Sequence, residues 1–290
     1  MATKTLISLV QLGTVDYATG LRLQQQLVAL RKEEKISDAL LLLEHSPVIT
    51  LGRNAKAANV IASPELLAQR GVELFECDRG GDVTFHGPGQ IVGYPIFDLR
   101  GHARGAADAS SAFRKTLGAV DFIRRLEEVL IRTCADFAIP TKRVPGLTGV
   151  WTDLKGRDFS RADSGHDKEP ASAAEVRPEA KLAAIGVHIS RFVTSHGFAL
   201  NVNTDLSFFN LIIPCGITAK PVTSMQQELG KPLDLSTVAE SISRNFGTVF
   251  SSQMLWVETL DALLGRTVGV PVQPPAELRQ LHKEDRTNWA

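Results

Sequence analysis

The sequence is poor in cysteine, in long apolar runs and in excess charge of either sign. Its three cysteines, Cys77, Cys134 and Cys215, are widely spaced and odd in number. They predict neither a disulfide framework nor a CxxC metal motif, and they indicate a reducing, cytoplasmic location. No window of about 18 apolar residues occurs and the N-terminus lacks a signal-peptide pattern, so we expect no membrane association. The 32 basic residues equal the 32 acidic ones, which gives no overall attraction to nucleic acid.

The sequence also lacks nucleotide-binding motifs in its most glycine-rich stretch, 79-RGGDVTFHGPG-89. Neither GK[ST] nor GxGxxG occurs there. Four glycines allow the backbone to approach a ligand without hindrance from Cβ atoms. Arg79, Thr84, His86 and Gln90 add polar groups between apolar strands. This lining suits a ligand with an apolar body and a carbonyl or thioester end; a tight β-turn with incidental polar side chains is the alternative.

Hydrophobic periodicity predicts an α+β fold. Strands are predicted at 5–12, 39–43, 72–77, 91–99, 182–188 and 197–203, and helices at 16–34, 110–138 and 235–248. Asp16 and Ser63 are expected to be helix N-caps, the latter followed by Pro64. Short turns between several strands favour a mixed, largely antiparallel sheet flanked by helices. Pro95 predicts that strand 91–99 lies at an edge or carries a bulge.

A composition shift divides the chain. Residues 155–180 hold 11 charged residues and only two large apolar ones, too few apolar groups to offset the entropy of ordering. We interpret this segment as an exposed, mobile insertion within a single catalytic domain of residues 1–250. Residues 251–290 are then a C-terminal extension.

Cys215 is the candidate nucleophile. It lies in 208-FFNLIIPCGITAK-220, where an apolar run leads to a Pro-Cys-Gly turn that frees the sulfur from a regular strand. The alternative is a small buried hydrophobe. That alternative fits Cys77 and Cys134 well, since Cys134 falls on the apolar stripe of the predicted helix.

Lys181 precedes an apolar strand, 181-KLAAIGVHIS-190. A partly desolvated lysine can act as a base, and its ammonium would favour the thiolate of a nearby cysteine. The alternative is a solvated lysine at a strand start. His86, His188 and His196 could be combined with Cys215 as a zinc site, but their spacing fits no compact ligand pair, so we expect no metal.

Several motifs together resemble the lipoyl (octanoyl) transferase family. They are RGGDVTFHGPGQIVGYP, 44-EHSPVITLGR-53, 181-KLAAIGVHI-189 and 197-GFALNVNTDLSFFNLIIPCGI-217. The resemblance covers residues 5 to about 250, apart from 155–180. It implies a fold similar to the catalytic module of biotin and lipoate ligases.

The resemblance also implies an activity. The family moves an octanoyl (or lipoyl) group from acyl carrier protein to a lysine of lipoyl domains, in 2-oxoacid dehydrogenase E2 subunits and the glycine cleavage H protein. It uses no cofactor or ATP. Cys215 matches the acyl-carrying nucleophile and Lys181 the residue that lowers its pKa. The acyl-binding positions that match are Arg79, Gly80, Gly81, Asp82, Val83, Thr84, Phe85, His86, Ala184, Ile185, Gly186, Gly197, Phe198 and Ala199.

Two other functions fit the same sequence. An ATP-dependent lipoate or biotin ligase shares the fold, but the glycine loop holds no phosphate-binding lysine. A non-catalytic acyl-carrier binding module would be expected to lack Lys181 or Cys215, and both are present. Either Lys181 or His86 could deprotonate the acceptor lysine.

Overall fold

The computed structural model describes residues 5–102, 116–154, 178–214, 220–257, Leu260 and Leu263. Within these residues eleven strands form two sheets. The strands are β1 (Leu6–Val15), β2 (Asp38–His45), β3 (Val48–Leu51), β4 (Glu73–Glu76), β5 (Val83–His86), β6 (Gln90–Ile96), β7 (Lys142–Val144), β8 (Leu147–Asp153), β9 (Glu179–Ser190), β10 (Val193–Asn201) and β11 (Gln253–Trp256). The α-helices are α1 (Tyr17–Lys32), α2 (Pro64–Gln69), α3 (Ala119–Asp136), α4 (Met225–Leu229) and α5 (Leu235–Val249).

The large sheet has the strand order β11-β1-β2-β6-β10-β9-β8-β7. Its β11–β1 and β1–β2 pairs are parallel, and every later pair is antiparallel. The small sheet, β4-β3-β5, has one parallel and one antiparallel pair. The predicted α+β fold with a mixed, largely antiparallel sheet is confirmed.

Helices cover both faces of the large sheet. Leu23 and Leu27 of α1 pack with one apolar cluster, which includes residues of β2 and β6. Phe122 and Leu126 of α3 pack with Phe246 of α5 against the opposite face. The predicted N-caps are confirmed, since the Asp16 side chain accepts a hydrogen bond from Thr19 N and Ser63 accepts one from Leu66 N.

The prediction that Pro95 marks an edge strand or a bulge is wrong, because β6 lies between β2 and β10 and its pairing with β2 runs through Pro95 without a register shift. The β6–β10 pairing ends at Gly93 and Phe198, before Pro95 is reached. The Pro95 carbonyl points toward β10, where it accepts the Thr194 hydroxyl at 2.7 Å. The nitrogen of a strand residue points to the same side as its carbonyl, so the missing N–H costs no ladder hydrogen bond.

Two predicted boundaries differ from the structure. Helix α3 begins at Ala119 after the N-cap Gly118, later than the predicted 110, and residues 116–118 are not helical. Strand β11 pairs with β1, and Val257, Leu260 and Leu263 are buried beside it. The large sheet therefore continues past residue 250, into the segment predicted as an extension.

Most of the predicted insertion, residues 155–177, lies outside the described residues, and β9 already begins at Glu179. The ends of this segment meet, because Leu154 N donates to Pro178 O at 3.1 Å. No helix in the described parts of the chain has both the length and the apolar character needed to cross a bilayer.

Because these ends meet, we expect a four-residue turn in place of residues 155–177 to leave the fold intact. The composition of the segment offers little apolar surface to bury, and the shorter loop costs about 1 to 2 kcal/mol less to close. Urea unfolding should therefore give an equal or higher free energy of unfolding. A loss of more than about 2 kcal/mol would contradict this expectation.

Candidate active site

A cavity lies between the small sheet and the large one. It contains about 490 Å³ of space between atoms, part of it open to solvent. Its walls come from α1, the glycine loop with β5, β6, β9 and β10. They are Tyr17, Arg79, Gly80, Gly81, Asp82, Thr84, His86, Val92, Tyr94, Ala184, Ile185, Gly186, His196, Gly197, Phe198 and Ala199.

Strand β5 divides its residues between the cavity and the core. Thr84 and His86 line the cavity, whereas Val83 and Phe85 are buried in the core of the small sheet. This alternation follows from the two-residue period of a strand. Of the predicted acyl-binding set, the structure thus gathers all members around the cavity except Val83 and Phe85.

The glycine loop is held against β9 through its backbone. Gly80 N donates to Val187 O at 3.1 Å, so this N–H is not available to a ligand carbonyl. A Cβ atom at Gly186 would lie 2.6 Å from Gly80 O, a distance that real Cβ atoms do not tolerate. Gly186 therefore permits the loop and β9 to meet, and this contact sets the width of the cavity.

Arg79 anchors the loop to the small sheet. Its guanidinium donates to Thr50 O at 2.7 Å and to Thr50 Oγ1 at 2.9 and 3.1 Å. The Asp82 side chain accepts hydrogen bonds from Lys56 N at 3.1 Å and Val83 N at 2.8 Å. Both charged side chains thus fix the loop conformation as well as lining the cavity.

His86 belongs to a buried hydrogen-bond chain. Gln90 Nε2 donates to Phe85 O at 3.2 Å and to Asn201 Oδ1 at 2.8 Å. Its Oε1 is therefore the acceptor for His86 Nδ1–H at 2.7 Å. Burial lowers the pKa of His86 to about 3, so the ring is neutral at pH 7 and is a weak base.

His45 lies behind this wall of the cavity. Its Nδ1 donates to Val15 O at 2.7 Å, and its Nε2 accepts the Tyr94 hydroxyl at 2.6 Å. Burial lowers the pKa of His45 to about 4, and burial also raises the pKa of Tyr94 and of Tyr17. These groups are uncharged near neutral pH, which suits an apolar ligand.

Asp78 is shared by His188 and by His196, which lines the cavity. Asp78 accepts from His196 Nε2 at 2.7 Å and lies 2.8 Å from His188 Nδ1. Burial lowers the pKa of His196. Burial opposes ionisation of Asp78, but the His196 hydrogen bond and the two imidazoles lower its pKa overall. Among the described residues no group of three or more histidine, cysteine or acidic side chains has the arrangement of a metal site.

Lys181 is buried, 9% exposed, and lines a smaller adjoining cavity. That cavity shares Thr84, Ala184 and Ala199 with the larger one and also reaches Pro214 and Val222. Lys181 N donates to Pro221 O at 2.9 Å, and Thr223 N donates to Lys181 O at 3.0 Å. Both ends of the segment 215–219 therefore lie beside Lys181.

The two described cysteines differ in exposure. Cys215 lies outside the described residues. Burial raises the pKa of Cys134 to about 12, so its thiol is inert, and Cys77 is a partly exposed free thiol whose Sγ lies 3.4 Å from Leu51 O.

Several cavity residues are absent from the predicted set. Tyr17, Val92, Tyr94 and His196 line the cavity, but Tyr17 begins a helix and Tyr94 sits in an apolar strand. Only His196 had a local signal, its place directly before Gly197; in the structure it lies within β10 with a left-handed φ of 55°.

The neutral buried histidines predict a loss of stability in acid. The unfolded chain protonates histidine near pH 6.5, whereas the folded chain resists until about 4 for His45 and about 3 for His86. Between these values the unfolded state holds more protons, so the free energy of unfolding should fall by about 1.4 kcal/mol per pH unit per histidine. Urea unfolding at pH 7.5 and pH 5 measures this fall in the free energy of unfolding. In His45→Gln the fall should be smaller by the contribution of one histidine. An unchanged slope in that variant would contradict the assignment.

Known proteins of one family are similar to this chain in sequence. The family model of the lipoyl protein ligase A/B catalytic domain matches residues 16–247. The octanoyltransferase of Koribacter versatilis is 56% identical over 280 residues, covering 97% of this chain and 98% of that protein. The octanoyltransferase of Acidobacterium capsulatum is 52% identical over 260 residues, covering 89% of this chain and 96% of that protein.

Solved structures share the fold at low sequence identity. The bipartite lipoate protein ligase of Thermoplasma acidophilum has a TM-score of 0.60 at 13% identity, covering 97% of this chain and 92% of that chain. Lipoate-protein ligase A bound with ATP has a TM-score of 0.58 at 11% identity, covering 98% and 94%. The predicted likeness to the lipoate-ligase fold is confirmed. The family model and the sequence relatives show that the chain belongs to the octanoyltransferases of the lipoyl protein ligase A/B family, acyltransferases of lipoate biosynthesis.

Proposed function

We propose that the chain takes its octanoyl group from the thioester of acyl carrier protein and carries it as a thioester on Cys215. The acceptors are lysines of lipoyl domains, in 2-oxoacid dehydrogenase E2 subunits and the glycine cleavage H protein. The observation that supports this most is that Pro214 and Val222, on either side of residues 215–219, line one cavity with Lys181. Because Pro214 directly precedes Cys215 in the chain, this favours a role for Cys215 next to Lys181.

The larger cavity is the proposed acyl site. Val92, Ile185 and Phe198 offer apolar walls, and each buried methylene is worth about 0.8 kcal/mol. Thr84, Ala184 and Ala199 line both cavities. An acyl chain in the larger cavity can therefore present its thioester to the smaller one, where Lys181 lies.

In the first step the Cys215 thiolate attacks the donor thioester carbonyl, and the carrier thiolate leaves with a proton from the Lys181 ammonium. One thioester replaces another, so the step is close to balanced in energy and needs no ATP. In the second step the acceptor lysine, which arrives as an ammonium with an ordinary pKa of about 10.4, gives a proton to neutral Lys181. Its amine then attacks the acyl-enzyme, the amide forms, a second proton leaves to solvent and Cys215 departs as thiolate.

Between the two candidate bases, Lys181 is favoured over His86. A group with a pKa of about 3 accepts a proton from an ammonium very poorly, since a useful base has a pKa near the working pH. The His86 side chain also donates Nδ1–H to Gln90. We therefore assign it a structural role in the cavity wall.

Intact mass measurement after incubation with octanoyl-loaded carrier protein, without ATP, tests the proposal. We expect a gain of one octanoyl group that hydroxylamine removes and that peptide mapping places on Cys215. With a lipoyl domain added, octanoylation of that domain only with octanoic acid and ATP would indicate a ligase instead, and no transfer under either condition would indicate a binding module.

The contact between the glycine loop and β9 gives a prediction for Gly186→Ala. The new methyl group would clash with Gly80 O, so the loop must shift and the acyl site must change shape. We expect kcat/KM for octanoyl transfer to fall about tenfold, the cost of modest overpacking. Gly101→Ala is the control, because a Cβ atom there meets nothing within 4 Å. Equal activity of the two variants would show that this contact does not shape the site.

A further inference from the structure

Trp151 of β8 lies against the Lys181 side chain. The Lys181 Nζ atom is 4.8 Å from the centroid of the Trp151 ring, within the range of a cation–π interaction. The indole is 1% exposed, and among the described residues its Nε1 atom has no hydrogen-bond partner. A buried tryptophan normally donates its N–H to a hydrogen bond. Trp151 instead contacts the Lys181 ammonium with the face of its ring.

The backbone is shaped to bring these two residues opposite each other. In the β8–β9 pairing Val150 pairs with Ala183, but Trp151 pairs with Lys181. The register therefore shifts by one residue, as in a β-bulge, and bulges re-aim side chains near functional sites.

Gly149 makes room for the same arrangement. Its φ is 122°, and a Cβ atom there would lie 2.6 Å from Ala183 O and 3.6 Å from Lys181 Cε. A residue with a side chain would therefore strain the backbone and clash with the Ala183 carbonyl of β9.

A second cation near the ring has a different partner. The Lys220 Nζ atom is 5.7 Å from the Trp151 centroid, but it is also paired with the Glu179 carboxylate. Its position is thus set by an ion pair as well as by the ring. Lys181 is the cation nearer to the ring.

We propose that Trp151 is a positioning residue for octanoyl transfer, whose indole face holds the Lys181 ammonium in place beside the smaller cavity. This inference rests on the proposed function, because it assigns Trp151 a task only if Lys181 serves Cys215. A mislocated ammonium stabilises the thiolate less, so the ring acts on Cys215 through the lysine.

The first experiment compares Trp151→Phe with Trp151→Leu. Phenylalanine keeps an aromatic face and leucine does not. We expect the rate of carrier-to-enzyme acylation to fall about threefold to tenfold in Trp151→Leu and to recover in part in Trp151→Phe. Trp256→Leu is the matched control, since Trp256 lies on β11, at the opposite end of the sheet order.

Because removal of a buried indole can impair folding, a second experiment keeps its shape. Site-specific incorporation of mono-, di- and tetrafluorotryptophan at position 151 weakens the ring quadrupole stepwise. We expect the midpoint pH of iodoacetamide alkylation of Cys215 to rise with each fluorine and the acylation rate to fall in parallel. In a Lys181→Met background the same series should have no effect.

The outcomes separate the two proposals. If Lys181→Met itself leaves the alkylation midpoint unchanged, the proposed function fails. If Lys181→Met moves the midpoint but the fluorinated series does not, the function stands and the role of Trp151 is overturned.

Discussion

Replacing Cys215 by serine should abolish octanoyl transfer, with kcat falling about 10³-fold or more. A serine hydroxyl is almost wholly protonated at neutral pH, and the Lys181 ammonium that would favour a thiolate cannot ionise it. The steady-state rate with octanoyl carrier protein and an isolated lipoyl domain measures the loss. Intact mass should also show no octanoyl adduct that hydroxylamine removes.

The other two cysteines provide the controls. Cys77→Ser changes a partly exposed thiol, and Cys134→Ala removes a thiol whose burial raises its pKa to about 12. We expect both variants to keep most of the activity, although Cys134→Ala should lower the melting temperature because it empties space in the core. A comparable loss of turnover in well-folded Cys77→Ser would refute the assignment of Cys215.

Local patterns in the sequence were enough to predict much of the fold. Asp16 and Ser63 cap their helices as expected, because capping depends on neighbours three residues away. The strands at 39–43 and 197–203 follow from short apolar runs. The position of β6 could not be predicted, because whether Pro95 is tolerated depends on where the β10 pairing stops, and that is a tertiary property.

The candidate site was likewise predictable only where local sequence determines it. Glycines and polar groups in one loop indicated a ligand from local chemistry alone. Tyr17 and Tyr94 come together only when α1 and β6 pack, and no local pattern distinguishes them from core residues. The contact of Trp151 with Lys181 depends on a register shift between two strands that are separated in sequence by the segment 155–177.

The proposed role of Lys181 depends on its positive charge. A substitution that removes the charge but keeps the size of the side chain can therefore test that role. Lys181 is buried near Pro214, and an ammonium close to Cys215 would lower the thiol pKa below its ordinary value of about 8.5. Lys181→Met keeps much of the length and apolar volume of the side chain while it removes the charge. Lys142→Met is a matched control, because Lys142 is an exposed lysine paired with Asp153 and Glu179.

In Lys181→Met we expect the Cys215 pKa to rise and kcat to fall about 10²-fold or more, the usual contribution of a general base. The thiolate fraction at pH 7 should drop about tenfold for each pKa unit regained. Acylation should slow by less, because a thiolate of higher pKa is the better nucleophile. Deacylation onto the acceptor lysine should slow separately, since the variant has lost the group that takes its proton.

Iodoacetamide alkylation against pH measures the change in the Cys215 pKa, and single-turnover experiments measure acylation and deacylation. Alkylation curves of wild type, Lys142→Met and Lys181→Met that share one midpoint would mean that Lys181 and Cys215 do not interact, and the Cys–Lys mechanism would have to be abandoned.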